Sequence, residues 1–366
     1  MTRKFARVSM GLALIAACQG GCNTEPAADD MASARAAAAG TASTAGVGAS
    51  STGATAGLPT AGASSAGATS GGAGATATTA GGSGVSGVAG TSATSGGGGT
   101  SSTSGGAGAS VGGGSGAGGA TRSAGCGVMD HPSSGDLTLD VSGTARQYTL
   151  KLPEGYTPDM AYKLIFGWHW RGGQASDVAK GTLGGGPYYG LEKLANGSAI
   201  FVAPNGIDNG WANTGGRDLA FLRAMLDLLT SKLCIDESRI FSTGFSYGGM
   251  MSDAIGCDMA DVFRAIAPMS GALYSGCTKS NKQPIAVWMS HGKSDDVVPL
   301  ADGKAALDVF LGKNGCGSQT SAVMPSPCVA YDGCSAGHPV TYCEFEGKHM
   351  PPSFASAAIW AFFQQF

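Results

Sequence analysis

Apolar and polar positions divide the chain into two unlike parts. Before about residue 123, large apolar side chains are sparse after a short opening run, and no periodicity appears. Beyond it, dense apolar runs of strand length alternate with stretches of helical spacing. Residues 146–152 alternate as a strand does before a turn at 153–156, and 163–170 and 198–203 are denser strands, the second closed by Pro204-Asn205-Gly206. Residues 217–233 set Leu219, Leu222, Met225, Leu226 and Leu229 on one helical face, with Asp218 near the start, where a carboxylate suits the helix dipole. Strands at 240–243, 265–269, 285–290 and 340–345 and helices at 247–255, 301–311 and 354–366 follow.

Short apolar strands alternating with helices specify the α/β class, a mostly parallel sheet covered by helices on both faces. No long lid-like insertion interrupts the strand signals, and no repeat emerges. The patterned region, 125–366, is about 240 residues, enough for one large domain with its own core.

Composition changes the picture at both ends. Arg3, Lys4 and Arg7 precede an apolar run at 8–17 that is too short to span a bilayer, so 1–17 reads as an export signal. Ile15-Ala16-Ala17-Cys18 resembles a lipobox, which makes Cys18 the expected lipidation site and the membrane a partner through that anchor. Gln19 after the cysteine favours the outer membrane by resemblance to Gram-negative lipoproteins; plain secretion is the alternative. Residues 18–124 are rich in Gly, Ala, Ser and Thr with no charge between Arg35 and Arg122, and hold too little apolar surface to offset ordering entropy. They read as a tether with an r.m.s. span on the order of 55 Å, or as an O-glycosylated stalk. A formal charge of −3 without basic clusters argues against a nucleic-acid partner. Cys126, Cys234, Cys257, Cys277, Cys316, Cys328, Cys334 and Cys343 form an even set in an exported chain, implying up to four disulfides of open connectivity. No C-x-x-C pair or His–Cys ligand spacing appears, so no metal site is expected.

The candidate chemistry begins at Gly244-Phe245-Ser246-Tyr247-Gly248, which lies between an expected strand and an expected helix. A sharp strand-to-helix turn strains its central residue and requires small neighbours two positions away, which Gly244 and Gly248 supply. A chain with 63 glycines also matches the pattern by chance at Gly108-Ala109-Ser110-Val111-Gly112, but no strand or apolar helix flanks Ser110. In an α/β-hydrolase the nucleophile, acid and base follow in that chain order on strand tips. Asp295 and Asp296 follow the 285–290 strand, and His349 follows the 340–345 strand. Ser246 is then the nucleophile and His349 the base, with a neighbouring carboxylate to hold the imidazole tautomer. His131 and His338 fall in Pro/Gly-containing loops and are expected exposed, whereas His169 and His291 are expected to hydrogen-bond strand-end loops. The oxyanion needs N–H donors, expected from Tyr247 and from the His169-Trp170-Arg171-Gly172-Gly173 loop, with Arg171 ahead of Trp170. Trp170 and Trp211 lie in loops on the same edge as candidates for stacking on a sugar or phenolic ring, or as cover for the core; Trp288 and Trp360 are expected in the core. No cofactor is needed.

Four stretches in this order resemble the feruloyl esterases: Tyr162 through Gly173, Gly244 through Gly249, His291 through Pro299 and Gly347-Lys348-His349. The domain is similar to fungal type C and D feruloyl esterases and to carbohydrate esterase family 1, with its polyhydroxybutyrate depolymerase-like members. The match includes Phe201 through Gly206 and Gly210-Trp211-Ala212-Asn213. The resemblance implies an α/β-hydrolase fold and puts the triad on Ser246, Asp295 and His349, Asp295 taking precedence over Asp296. It also implies a monomeric catalytic domain acting on a phenolic ester or ester-substituted polysaccharide and releasing hydroxycinnamic acids. Acetyl-xylan esterase and polyester depolymerase are alternatives within the fold, and a tethered polysaccharide-binding protein is the non-enzymatic one. Two departures stand out: His169-Trp170 where many members have His-Gly, which bears on the second oxyanion donor, and Met350 where many have an aromatic residue, which bears on the acyl pocket.

Overall fold

The computed structural model describes residues 121–278 and 280–366. Its strands are β1 (Gly135–Val141), β2 (Thr144–Lys151), β3 (Tyr162–Trp168), β4 (Ala199–Pro204), β5 (Ile235–Phe245), β6 (Ala265–Met269), β7 (Ala286–Gly292), β8 (Thr320–Ala322), β9 (Cys328–Tyr331) and β10 (Val340–Phe345). They make one sheet in the order β1-β2-β4-β3-β5-β6-β7-β10-β9-β8. The strands from β4 to β10 in this order are parallel, β1 and β2 add antiparallel to one edge, and β9 and β8 add antiparallel to the other. This is the mostly parallel α/β sheet that the sequence pattern specified, in the α/β-hydrolase arrangement that the resemblance implied.

Alternation along the central strands sends side chains to two cores. Leu164, Phe166, Trp168, Ile240, Ile266, Val287 and Met289 face one side, where α3 (Arg217–Lys232), α4 (Tyr247–Asp258) and α5 (Leu300–Asn314) cover them. Ile165, Phe241, Ala267, Met269 and Trp288 face the other, under α1 (Ala175–Lys180), α2 (Leu191–Ala195) and α6 (Ala355–Phe363). Trp288 and Trp360 are buried, as expected.

Elements without a strong apolar signal were not expected. β1 (GDLTLDV) and β8 (TSA) are edge strands with exposed or half-exposed side chains, so they lack a run of buried positions. α1 and α2 are too short for periodicity to register. β9 pairs with β10 beside the disulfide Cys328–Cys343. β3 ends at Trp168 rather than at 170, because the chain turns immediately afterwards.

The other disulfides are Cys126–Cys234, Cys257–Cys277 and Cys316–Cys334. The expected signal at 1–17, the lipidation site Cys18 and the tether up to 120 lie outside the described residues. The tether boundary expected at 124 falls inside the paired region. The Ser123 amide donates to Ile235 O at 2.9 Å, its buried hydroxyl to Leu233 O at 2.6 Å, and Arg122 bridges to Asp236.

Candidate active site

β5 ends at Phe245 and α4 begins at Tyr247, leaving Ser246 alone on the turn with φ 56° and ψ −119°. A non-glycine residue held there stores on the order of 1–3 kcal/mol. Close packing accounts for the glycines around it. A Cβ on Gly244 would lie 2.5 Å from Gly248 C, one on Gly248 2.1 Å from Trp168 O, and one on Gly249 2.7 Å from Met269 O. The Ser246 amide donates to Met269 O at 2.9 Å, tying the turn to the tip of β6.

Two other strand tips meet Ser246. His349 follows β10, and its Nε2 lies 2.8 Å from Ser246 Oγ while its Nδ1 lies 2.8 Å from Asp295 Oδ2. One tautomer satisfies both contacts: Nδ1–H donates to the carboxylate, and Nε2 accepts the serine hydroxyl. The Asp295 side chain is buried, and its Oδ1 accepts the amides of Val297 (3.0 Å) and Val298 (2.8 Å). Burial alone would raise its pKa. The bond and charge of His349 and the amides of Val298 and Val297 outweigh that, and the carboxyl is held below the ordinary aspartate range. Asp296 points to the surface instead, 61% exposed, and takes a hydrogen bond from Lys348 at 3.1 Å that lowers its pKa. Of the two neighbouring carboxylates, only Asp295 reaches His349.

The loop after β3 packs against the turn from the opposite side. His169 is buried; its Nδ1–H donates to Trp170 O at 2.7 Å, and its Nε2 accepts the Gly206 amide at 3.0 Å. Burial pushes its pKa down to about 4, so the ring is neutral. Gly172 donates to Asn209 O at 2.8 Å. A Cβ on Gly210 would lie 2.8 Å from the Tyr247 ring and 3.6 Å from Arg171 Cδ, so the two expected oxyanion donors belong to adjacent segments. Tyr247 opens α4, and the first N–H groups of a helix point out of its N-terminal end.

Trp211 does not line this edge as a stacking platform. It is 0% exposed, its Nε1–H donates to His169 O at 2.8 Å, and its ring meets Trp168 edge-on at 4.8 Å. Its ring packs from the 206–216 loop against the end of β3 and is fully buried, leaving no face for a ligand. Trp170 is half-buried, and its ring lies 3.1 Å from where a Cβ on Gly173 would sit. His131 and His338, expected exposed, are also half-buried; His131 meets Tyr156 edge-on at 4.8 Å.

The sequence offered little sign of the residues that support the loops. Asn213 donates its amide to Asp218 Oδ2 (2.8 Å), accepts the Asp218 amide (3.0 Å) and donates through its side chain to Ser275 O (2.9 Å). Asp218, read as a helix-dipole residue, is fully buried against Arg146 at 2.8 Å. On the α6 side of the sheet a cavity of about 540 Å³ adjoins the site; Tyr189, Met269, Phe345, Met350, Pro351 and Phe354 are among its walls. Met350 follows His349, and Met269 O accepts the Ser246 amide, so two of the cavity's walls are immediate neighbours of the triad.

Comparison with known proteins adds the following. Residues 207–301 match the Prolyl oligopeptidase family. Feruloyl esterase C of Emericella nidulans is 42% identical over 252 residues, covering 66% of this chain and 90% of the relative. Feruloyl esterase D of Neurospora crassa is 39% identical over 266 residues, covering 68% and 91%. The solved acetyl xylan esterase from Aspergillus awamori aligns at 15% identity with a TM-score of 0.49, covering 62% of this chain and 99% of that one. With about two fifths of positions identical across nine tenths of its relatives' length, the chain belongs to the feruloyl esterase family.

Proposed function

We propose that the protein is a serine carboxylic-ester hydrolase that releases ferulic or related hydroxycinnamic acids from feruloylated plant cell-wall polysaccharide. The observation that carries this reading is the continuous contact from Ser246 Oγ to His349 to Asp295, both links 2.8 Å, in a chain of the feruloyl esterase family.

In this reading His349 Nε2 takes the Ser246 proton as Oγ attacks the ester carbonyl, and Asp295 stabilises the imidazolium that forms. The N–H groups of Tyr247 and Arg171 receive the developing oxyanion. His349 then gives the proton to the sugar oxygen as the C–O bond breaks, leaving an acyl-enzyme. Water, deprotonated by the same imidazole, attacks the acyl carbon and frees the acid. The apolar cavity beside Met350 receives the aromatic part of the substrate.

Export through 1–17, lipid attachment at Cys18 and display on the 18–124 tether complete the proposal, with the catalytic domain acting as a monomer. The test is hydrolysis of methyl ferulate, p-nitrophenyl acetate and a 3-hydroxybutyrate oligomer by the oxidised chain and its Ser246→Ala variant. Ferulate turnover that exceeds the other two and falls by about 10⁴-fold or more in the variant is expected. Preference for acetate or the oligomer would move the substrate. Absence of turnover on all three would discard the mechanism.

A further inference from the structure

Asp295 is held by a second histidine that the reaction scheme above does not use. His291 stands at the end of β7, buried, with Nε2 2.8 Å from Val298 O and 3.4 Å from Asp295 Oδ2. The nearer acceptor takes the Nε2–H, so the ring donates to Val298. Val298 in turn gives its amide to Asp295 Oδ1 at 2.8 Å and is itself fully buried. One ring therefore closes the 295–298 turn from outside while the turn's own amides grip the carboxylate from inside.

The other edge of the imidazole is equally confined. A Cβ on Gly303, in α5, would lie 2.2 Å from Nδ1 and 2.6 Å from Cε1, so the helix presents a glycine where the ring sits. Three titratable groups face the ring: Asp295 from its own loop, His349 from the loop after β10, and Asp302 from α5, whose carboxylate accepts the Tyr274 hydroxyl. Burial holds His291 toward the neutral form against the Val298 carbonyl and both carboxylates. A neutral ring acts here through geometry.

We propose that His291 is a positioning residue for the esterase reaction: its Nε2–H fixes the 295–298 turn, and through it the contact between Asp295 and His349. The inference rests on the esterase reading above. If the clamp is lost, Asp295 drifts from His349, and the imidazolium formed during acyl transfer loses its counter-charge. A role in packing alone would lower stability without touching the pH profile.

The experiment compares His291→Gln with His291→Asn in the full, oxidised chain, measuring methyl ferulate kinetics from acid to alkaline pH. Glutamine carries an N–H donor to where Nε2 was; asparagine ends near Nδ1 and falls short of Val298. His291→Asn is expected to lower kcat by about 30- to 100-fold, with KM within about twofold. Its acid limb should move down by about one pH unit, because the imidazolium has lost carboxylate support. His291→Gln should stay within about threefold of wild-type kcat and keep the wild-type limb. Gly303→Ala, which pushes the ring off Val298, should resemble His291→Asn and gives the reading if the asparagine variant does not fold. Wild-type kcat and pH profile in both amide variants, equal losses in both with an unmoved limb, or wild-type kinetics in a folded Gly303→Ala would each overturn the proposal. Ester turnover by the wild-type chain, lost in Ser246→Ala, checks the esterase reading separately; if that turnover is absent, both fall together.

Discussion

A buried histidine stands at each of two strand tips, His169 just after β3 and His291 near the end of β7, and the loops there are held in opposite ways. His291 donates to Val298, 7 residues further on, and the same short turn supplies both amides to Asp295. His169 instead accepts the amide of Gly206, 37 residues away, and its carbonyl takes the indole N–H of Trp211, 42 residues away. The acid is thus carried by a nearly self-contained turn. The loop that carries Arg171, the proposed second oxyanion donor, is held by the 206–216 segment, which Asn213 docks on Asp218 and Ser275. Local turns tolerate distant changes; a docked loop transmits them to the active site.

The comparison breaks most sharply between two adjacent carboxylates in the β7 loop. Asp295→Asn is expected to reduce kcat by about 10⁴-fold, since the amide cannot support the imidazolium and favours the wrong tautomer. Asp296→Asn, at a solvent-exposed ion pair with Lys348, should leave kcat within about threefold. Equal effects in steady-state assays of the two variants would refute the assignment of the acid.

The β3 loop makes its own prediction through pH. His169 has a folded pKa of about 4 against an ordinary value of 6.5. The unfolded chain then binds the extra proton first, so stability is complete above about pH 6.5 and falls as pH drops toward 4. The loss reaches about 3 kcal/mol at the acid end. His169→Gln should flatten that slope between pH 7 and 5 in urea unfolding; an unchanged slope would assign the acid lability elsewhere.

The smallest expected effect tests docking alone. Trp211→Phe keeps the edge-on ring but removes the donor to His169 O, which should cost about 1–2 kcal/mol of stability. Transmitted to the oxyanion loop, the change should also lower kcat by about tenfold with little change in KM. A stability loss with wild-type kcat would show that the two loops are less tightly coupled than their contacts imply.

Much of the fold was legible because periodicity is a local property. The strands at the centre of the sheet and the three helices over one face carry dense apolar runs, and their positions followed from the sequence, although β5 starts at Ile235, five residues before its expected start. Edge strands β1 and β8 were not legible, since half-exposed strands lack that signal. In the site, Ser246 stood out because a strained turn demands Gly244 and Gly248 on either side, a need written into neighbouring letters. Trp211 stayed open between stacking and core cover, because an aromatic residue in a loop reads the same whether it faces a ligand or a carbonyl beside the end of β3.

By itself the sequence determined the alternation of strand and helix, the glycine-flanked turn at Ser246, and a chain order that carries a carboxylate and then a histidine to later strand tips. Those features depend on near neighbours and on the two backbone periods. Only the tertiary structure decided which loop groups His169 and His291 hold, whether Trp211 faces a ligand or the core, how eight cysteines pair, and, beyond what the resemblance implied, that Asp295 rather than Asp296 meets His349. Each of these is a contact through space between side chains and backbone groups brought together by sheet order, and no spacing along the chain encodes which partner will be in reach.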